Sequence, residues 1–152
     1  MSDYINGHLA YGYDLGDPTD LPGGSKYEVD LDGYDPNDST DWPTDGFYSP
    51  ALRALYDSVP GLDPYESETE HGEVIADLLG VRLFYYGTGD APMYVLATVV
   101  FTGDHTSTLQ VDPAVLATDT TVWDQQLAHA LTILGLTPGK PRPAWLQTAN
   151  AN

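Results

Sequence analysis

The sequence predicts a single α+β domain spanning residues 1–152, in which a small antiparallel sheet is packed on one face by about three helices. Two kinds of pattern support this fold class: short runs in which apolar and polar residues alternate, and longer runs with an apolar stripe at helical spacing. They occur in the order strand, long acidic excursion, helix, helix, strand, strand, helix, which is typical of an α+β architecture. With 41% apolar residues, the chain is expected to bury a core, because a domain of this size hides roughly 70% of its unfolded surface.

The first strand is predicted over residues 8–15, HLAYGYDL, where every second residue is aliphatic or aromatic. A loop-rich acidic excursion follows over residues 17–48 and shows no sustained period. Loops of that length are usually functional or disordered. We expect a few apolar side chains, Tyr27 among them, to pin this excursion loosely to the core.

Three helices are predicted over residues 50–58, 64–79 and 122–134, and the last two have an apolar side at helical spacing. Their ends are marked by residue types that favour helix caps, by a proline suited to a first helical position, and by a capping box in the second helix. These residues are Ser49, Pro50, Ser67, Glu70, Gly80, Thr121 and Gly135.

Two β-rich runs at 81–87 and 92–101 are separated by a short glycine-containing loop and predict a hairpin. Residues 108–111, TLQV, are a candidate for a further short strand. The tail over residues 138–152 is rich in proline, and we expect its Trp145-Leu146 pair to dock back on the core.

The net charge of −18 is distributed unevenly along the chain. Residues 1–80 carry 18 acids and two bases, whereas residues 81–152 carry five acids and three bases. Such a protein should repel nucleic acid and anionic membranes and be attracted to basic surfaces. The chain has no cysteine, and its longest apolar run, residues 93–101, is far shorter than the ~20 residues of a membrane span. We therefore expect a soluble, cytoplasmic protein.

Three motifs, taken together, resemble a group of small acidic proteins of actinobacterial phages. They are LAYGYDLG at 9–16, APMYVLA at 91–97 and WDQQLAHALTILGLTPGKPRPAWL at 123–146. The resemblance covers both ends and the central strand, and it does not cover the acidic excursion. Because the motifs consist of packing and turn residues, it implies a shared fold and a phage origin, and it assigns no functional residue. Small accessory phage proteins more often bind and inhibit a host machine than catalyse metabolism.

The densest acidic stretch, residues 27–45, contains seven carboxylates and no base. These are Glu28, Asp30, Asp32, Asp35, Asp38, Asp41 and Asp45. An EF-hand loop requires glycine at its sixth position and a bidentate glutamate at its twelfth. Neither register of the stretch supplies both, so an EF-hand is excluded. A looser calcium site built from Asp30, Asp32 and Asp35 stays open as an alternative.

Four carboxylates in the second helix, Glu66, Glu70, Glu73 and Asp77, share one side of a helical wheel. A charged solvent face is the ordinary state of an amphipathic helix. Such faces usually mix signs, however, because like charges four residues apart cost a few tenths of a kcal/mol. An unmixed stripe is therefore a candidate surface for binding a basic partner. The aromatic residues Tyr34, Trp42 and Tyr65 could supply the apolar contacts that charge alone does not provide.

No motif in the chain predicts catalysis, a cofactor or a metal centre. The histidines, His8, His71, His105 and His129, lack the spacing of metal ligands. We expect His71 to be packed and hydrogen-bonded on the apolar side of the second helix, and His129 to be exposed. A GxSxG elbow, a phosphate-binding loop and a GxGxxG turn are all missing from the sequence.

The leading hypothesis is therefore a non-enzymatic phage protein that acts in the cytoplasm of an actinobacterial host. It would inhibit a basic, nucleic-acid-binding defence protein through an acidic, DNA-like surface, in the manner of an anti-CRISPR or anti-restriction protein. No direct binding to nucleic acid or membrane is expected. The alternative is a binding or virion-associated protein whose acids serve only solubility or a calcium-ordered loop.

Overall fold

The structure is a computed structural model that describes residues 5–27, 47–62, 68–88, 91–104 and 110–151. One small domain contains four strands and four helices in the order β, α, α, β, β, α, α, β within the described residues. The predicted α+β fold is confirmed. The elements are β1 (Ile5–Gly16), α1 (Tyr48–Asp57), α2 (Glu68–Leu79), β2 (Arg82–Thr88), β3 (Ala91–Asp104), α3 (Pro113–Leu116), α4 (Thr121–Leu134) and β4 (Ala144–Ala151). Two short 3-10 turns, Pro18–Asp20 and Ser25–Tyr27, follow β1.

The sheet has the strand order β4-β1-β3-β2, and each neighbouring pair is antiparallel. The predicted hairpin forms its β2-β3 half. A single parallel pair, Gly87 with Asn150, joins the two outer strands, so the sheet curls round on itself. Glycine in a strand permits such close backbone approach.

The proline-rich tail contributes a strand that its sequence did not predict. Its last proline is Pro143, and β4 begins at the next residue and pairs with β1 over the whole range Ile5–Gly12. The second half of this strand consists of Thr, Ala and Asn, which have little intrinsic preference for strands apart from Thr. Pairing with β1, rather than local propensity, therefore forms β4.

The two faces of the sheet carry side chains of different size. The helix-covered face presents large residues such as Leu15, Tyr94 and Leu96 to the main core. The opposite face buries the smaller Ala10, Val95 and Ala97. Phe84, Tyr86, Val100 and Leu146 are partly buried and pack against these three residues. The helices add most of the remaining core, including Leu52, Leu55, Tyr56, Ile75, Leu127 and Leu134.

The helices form where they were predicted, but two of the predicted N-cap residues lie inside their helices. Helix α1 begins at Tyr48, with Phe47 at the cap position and no side-chain cap. Ser49 therefore lies inside the first turn, where Pro50 is tolerated because the first four N–H groups of a helix lack intrahelical acceptors. Helix α4 includes Thr121, whose N–H and hydroxyl donate to Asp119 Oδ1 at 3.0 and 2.6 Å. Gly135, with φ 69°, ends α4 as predicted.

Two smaller predictions have different outcomes. The candidate strand at 108–111 lies partly outside the described residues, and its described part, Gln110 and Val111, belongs to no strand. The short helix α3 was not predicted, although Asp112 Oδ1 caps it by accepting from Ala114 N at 2.9 Å. The capping box at Ser67 lies outside the described residues.

Two residues of the acidic excursion, the described ones on either side of residues 28–46, touch each other. The rings of Tyr27 and Phe47 meet edge to face, with centroids 4.9 Å apart, and Phe47 meets Tyr94 in the same way at 5.0 Å. Tyr27 also donates its hydroxyl to the Leu134 carbonyl at 2.8 Å, which ties this point to the end of α4. Burial raises the pKa of the Tyr27 phenol. Tyr27 and Phe47, the described residues on either side of residues 28–46, are thus in contact within the core.

The curled sheet leads to a test at a glycine of β1. A Cβ at Gly12 would overlap the carbonyl oxygen of Leu96 on β3, whereas a Cβ at Gly7, in the same strand, would find its nearest atom at 3.7 Å. We expect Gly12→Ala to lower the free energy of unfolding by about 1–3 kcal/mol, the usual cost of overpacking. Gly7→Ala, the matched control, should not lower it. Urea denaturation followed by circular dichroism measures both, and equal stability of the two variants would contradict the proposed strand contact.

Candidate functional site

Helix α2 exposes the described part of the acidic stripe. Glu70, Glu73 and Asp77 are exposed, while His71 and Ile75 are buried on the other side of the helix. This division follows from the helical period, because residues three or four apart share a side.

Leu78 is an exposed aliphatic residue of α2, and 54% of it is accessible to solvent. It follows Asp77 in the chain and lies about 100° round the helix from it, near the side that carries His71.

A shallow cleft of about 260 Å³ separates α1 from α2 and β2. Glu73 contributes to it from the stripe, and Tyr48 contributes as the last residue of the excursion. Arg82 is the basic residue among those that line this cleft. The lining residues are Tyr48, Leu52, Gly72, Glu73, Ile75, Val81, Arg82 and Leu83.

Most of the predicted interface residues lie outside the described residues. They are Glu28, Asp30, Asp32, Tyr34, Asp35, Asp38, Asp41, Trp42, Asp45, Tyr65 and Glu66. The looser calcium site built from three of these aspartates is among them. Within the described ranges, no group of three or more His, Cys, Asp or Glu side chains is placed to hold a metal ion.

Two of the three described histidines, His8 and His71, pack against aromatic rings. His71 is 7% exposed and stacks on Tyr56, with ring centroids 4.1 Å apart. The prediction that His71 is packed is therefore confirmed, but its Nε2 has no hydrogen-bond partner in the described part of the chain. His8 stacks on Phe84 at 4.7 Å, and burial lowers its pKa. His129 is exposed, as predicted.

A second cleft, of about 450 Å³, lies where β1, the start of α4 and the proline-rich segment before β4 meet. Asp124 is its central acceptor. Tyr11 donates its hydroxyl to Asp124 Oδ1 at 2.7 Å, and Thr120 donates to Asp124 Oδ2 at 3.1 Å. The lining residues are Tyr11, Tyr13, Thr120, Asp124, Pro141, Arg142 and Pro143.

Burial and the Asp124 carboxylate both raise the pKa of the two tyrosines that line this cleft. Burial is the first cause of the raised pKa of Tyr11, and the hydrogen bond and charge of Asp124 raise it further, while Thr120 opposes them. Burial and then the Asp124 charge raise the pKa of Tyr13. Both phenols therefore stay protonated at neutral pH, and Tyr11 uses its proton in the hydrogen bond to Asp124.

Sequence patterns missed this second cleft because its residues come from three distant parts of the chain. Tyr11 and Asp124 are separated by 113 positions, and the pairing of β4 with β1 brings the Pro141–Pro143 segment to them. The available signals were the Tyr-x-Tyr pair in a predicted strand and the Pro-Arg-Pro run in the tail. Neither signal indicates the other.

A third polar group lies on the face of the sheet opposite the helix-covered one. Tyr86 donates its hydroxyl to the Asp14 carboxylate, with both oxygens at 2.8 Å. Burial, followed by the hydrogen bond and charge of Asp14, raises the pKa of Tyr86 to about 12. This contact joins β2 to β1 across the intervening β3.

Comparison with protein-family models, with curated proteins and with solved structures finds no match to this chain. None of the described helices is long and apolar enough to traverse a bilayer.

The Tyr86–Asp14 contact predicts a pH dependence of stability. The pKa of Tyr86 is raised on folding, so its contribution is fully present below the ordinary tyrosine value of 10.0 and is lost as pH rises towards about 12. We expect wild type to be more stable than Tyr86→Phe at pH 8, and the difference to shrink steadily above pH 10. Urea midpoints over this range provide the measurement.

The control is Tyr85→Phe, which removes a hydroxyl from an exposed ring on the same strand. A Tyr86→Phe difference that does not change between pH 8 and pH 11 would show that the Asp14 contact contributes nothing to stability.

Proposed function

We propose that this chain is a non-enzymatic phage protein that inhibits a basic, nucleic-acid-binding host defence protein through an acidic surface. The observation that carries the proposal is the cleft between α1 and α2. Tyr48, the last residue of the acidic excursion, and Glu73, in the acidic stripe, line the same cleft. A residue of the acidic stripe and a residue that closely follows the acidic stretch 27–45 therefore border one cleft.

The spacing of charge supports competition for a phosphate-binding groove. B-DNA carries one charge per about 3.4 Å of axis on each strand. Carboxylates three and four residues apart on a helix are separated by ~4.5–6 Å along its axis. One stripe is sparser than one DNA strand, and the carboxylates of residues 27–45 would supply the remaining charge.

Apolar contacts next to the stripe support a protein partner. Leu78 is exposed on α2, and Tyr48 and Leu52 line the cleft to which Glu73 also contributes. Interfaces obtain most of their binding energy from a few such contacts, while surrounding charges set orientation and association rate. Arg82 at the cleft would pair with an acidic residue of the partner or be tolerated at the rim.

The resemblance to actinobacterial phage proteins supports an anti-restriction or anti-CRISPR setting in the host cytoplasm. The charge of −18 supports a basic protein as the direct partner, since nucleic acid itself would be repelled.

The experiment begins with capture of partners from an actinobacterial lysate on the tagged chain at about 0.1 M salt, followed by elution near 1 M, where charge attraction is screened. Each captured protein is then purified, and its binding to a labelled DNA duplex is measured by fluorescence anisotropy with and without this chain. The proposal expects displacement of DNA that weakens as salt rises. Captured proteins that bind no nucleic acid would contradict it.

The acidic stripe provides the matched variants. We expect Glu70→Gln, Glu73→Gln and Asp77→Asn together to weaken partner binding by about tenfold or more, because each lost charge removes part of the counterion-dependent attraction. The control replaces the same number of exposed carboxylates elsewhere, Asp20→Asn, Asp112→Asn and Asp119→Asn. Asparagine keeps the side-chain oxygens of Asp112 and Asp119 that accept from Ala114 N and Thr121 N. Isothermal titration at two salt concentrations measures both triple variants.

Equal weakening by the two triple variants would assign the effect to net charge and not to the stripe. Binding that both variants and salt leave unchanged would favour the alternative, in which the acids serve solubility or a calcium-ordered loop. A rise in melting temperature with millimolar calcium, but not magnesium, would support that loop.

A further inference from the structure

We propose that the cleft between β1, α4 and the Pro141–Pro143 segment binds a small zwitterion, a molecule that carries a cationic nitrogen and a carboxylate as free amino acids do. The proposal is independent of the acidic surface on α2. It rests on the opposite charges of Asp124 and Arg142, which line one cleft between aromatic and proline walls.

Asp124 is built to receive the cationic nitrogen. Its two oxygens are already held by Tyr11 and Thr120, so the carboxylate is fixed in place before a ligand arrives. Each carboxylate oxygen has more than one lone pair, so both can still accept from a ligand N–H. The rings of Tyr11 and Tyr13 add a second attraction, because a cation is stabilised over an aromatic face.

Arg142 is placed to receive the carboxylate. It is exposed and lies between Pro141 and Pro143, whose rings fix the backbone torsion φ on either side of it. A guanidinium binds a carboxylate through two parallel hydrogen bonds. The exposed position lets Arg142 turn towards a ligand at little cost in desolvation.

The combination of charges selects a zwitterion over a simple ion. A cation without a carboxylate would meet Asp124 but would be repelled by Arg142, and an anion would meet Arg142 but would be repelled by Asp124. A molecule with both groups satisfies both side chains. The volume of about 450 Å³ falls within the ~300–1,000 Å³ that is usual for small-molecule sites.

An aromatic cluster makes the cleft rigid and provides a reporter for binding. Tyr11 contacts Trp123 and Trp145, with ring centroids 5.5 Å apart in both pairs, and the two indoles meet edge to face at 6.1 Å. Side chains fixed in this way lose little entropy when a ligand binds. Both indole N–H groups should give NMR signals that respond to a ligand held against Tyr11.

The experiment titrates the whole chain with two probes, L-arginine and agmatine, which differ in the carboxylate. The indole ¹H–¹⁵N signals of Trp123 and Trp145 are followed in each titration. We expect L-arginine to shift them in a saturable way and to bind about tenfold more tightly than agmatine, the usual scale of one charge-assisted contact. Equal affinity for the two probes, or no saturable shift with either, would overturn the proposal.

Three variants assign the contacts. Arg142→Gln should abolish the preference for L-arginine over agmatine, and Asp124→Asn should weaken both probes. Lys140→Gln is the matched control, since it removes an exposed base from the same tail at a position outside the cleft. If Arg142→Gln binds L-arginine as tightly as Lys140→Gln does, the proposed carboxylate contact is wrong. Arg142 is exposed, so its variant tests the proposal even if Asp124→Asn proves unstable.

Discussion

The pairing of β4 with β1 is the contact on which the rest of the structure depends. It brings the end of the chain to its beginning, with Trp145 opposite Tyr11 in register. The aromatic contacts between Tyr11, Trp123 and Trp145 follow from that register, and so does the position of the Pro141–Pro143 segment beside the start of α4. Loss of this one strand pair would remove the curl of the sheet and the second cleft together.

A second constraint is electrostatic. A net charge of −18 disfavours any compact state through self-repulsion, and the described fold answers this by keeping most carboxylates on exposed positions. Asp124 is the exception among the described carboxylates, because it is partly buried. Two hydroxyl groups, and no base, donate hydrogen bonds to it within the described residues. The contact between Tyr27 and Phe47 acts in the same direction. It ties the start and the end of the most acidic segment to the core with apolar contacts, which salt and pH do not weaken.

Local patterns predicted those elements whose residues interact with near neighbours. β1, the β2-β3 hairpin and α4 have clear periods, and Gly135 ends α4 because its left-handed backbone suits glycine. The prediction of Ser49 as the N-cap of α1 was wrong. Phe47 occupies that position and packs into the core, and the helix begins at the next residue. β4 and the Tyr11–Asp124 cleft depend on contacts between residues more than 100 positions apart. Contacts over such long separations produce no periodic pattern in the sequence. Neither β4 nor the cleft could therefore be predicted without the fold. Of the predicted acidic surface, the sequence assigned the exposed side of α2 correctly, because that assignment requires only the helical period.

The positions of the bases are more informative than those of the acids. With 23 acids in 152 residues, a carboxylate is expected on almost any surface, and its presence alone indicates little. The chain has five bases. One of them, Arg53, pairs with Asp57 within α1 at 3.0 Å, whereas Arg82 and Arg142 each line a cleft that also contains a carboxylate. Charges on an exposed surface are screened over about 8 Å at physiological salt. Each cleft is therefore governed by its own pair of opposite charges rather than by the field of the whole molecule. The two proposals, a macromolecular partner on α2 and a small zwitterion beside α4, can for this reason be tested separately.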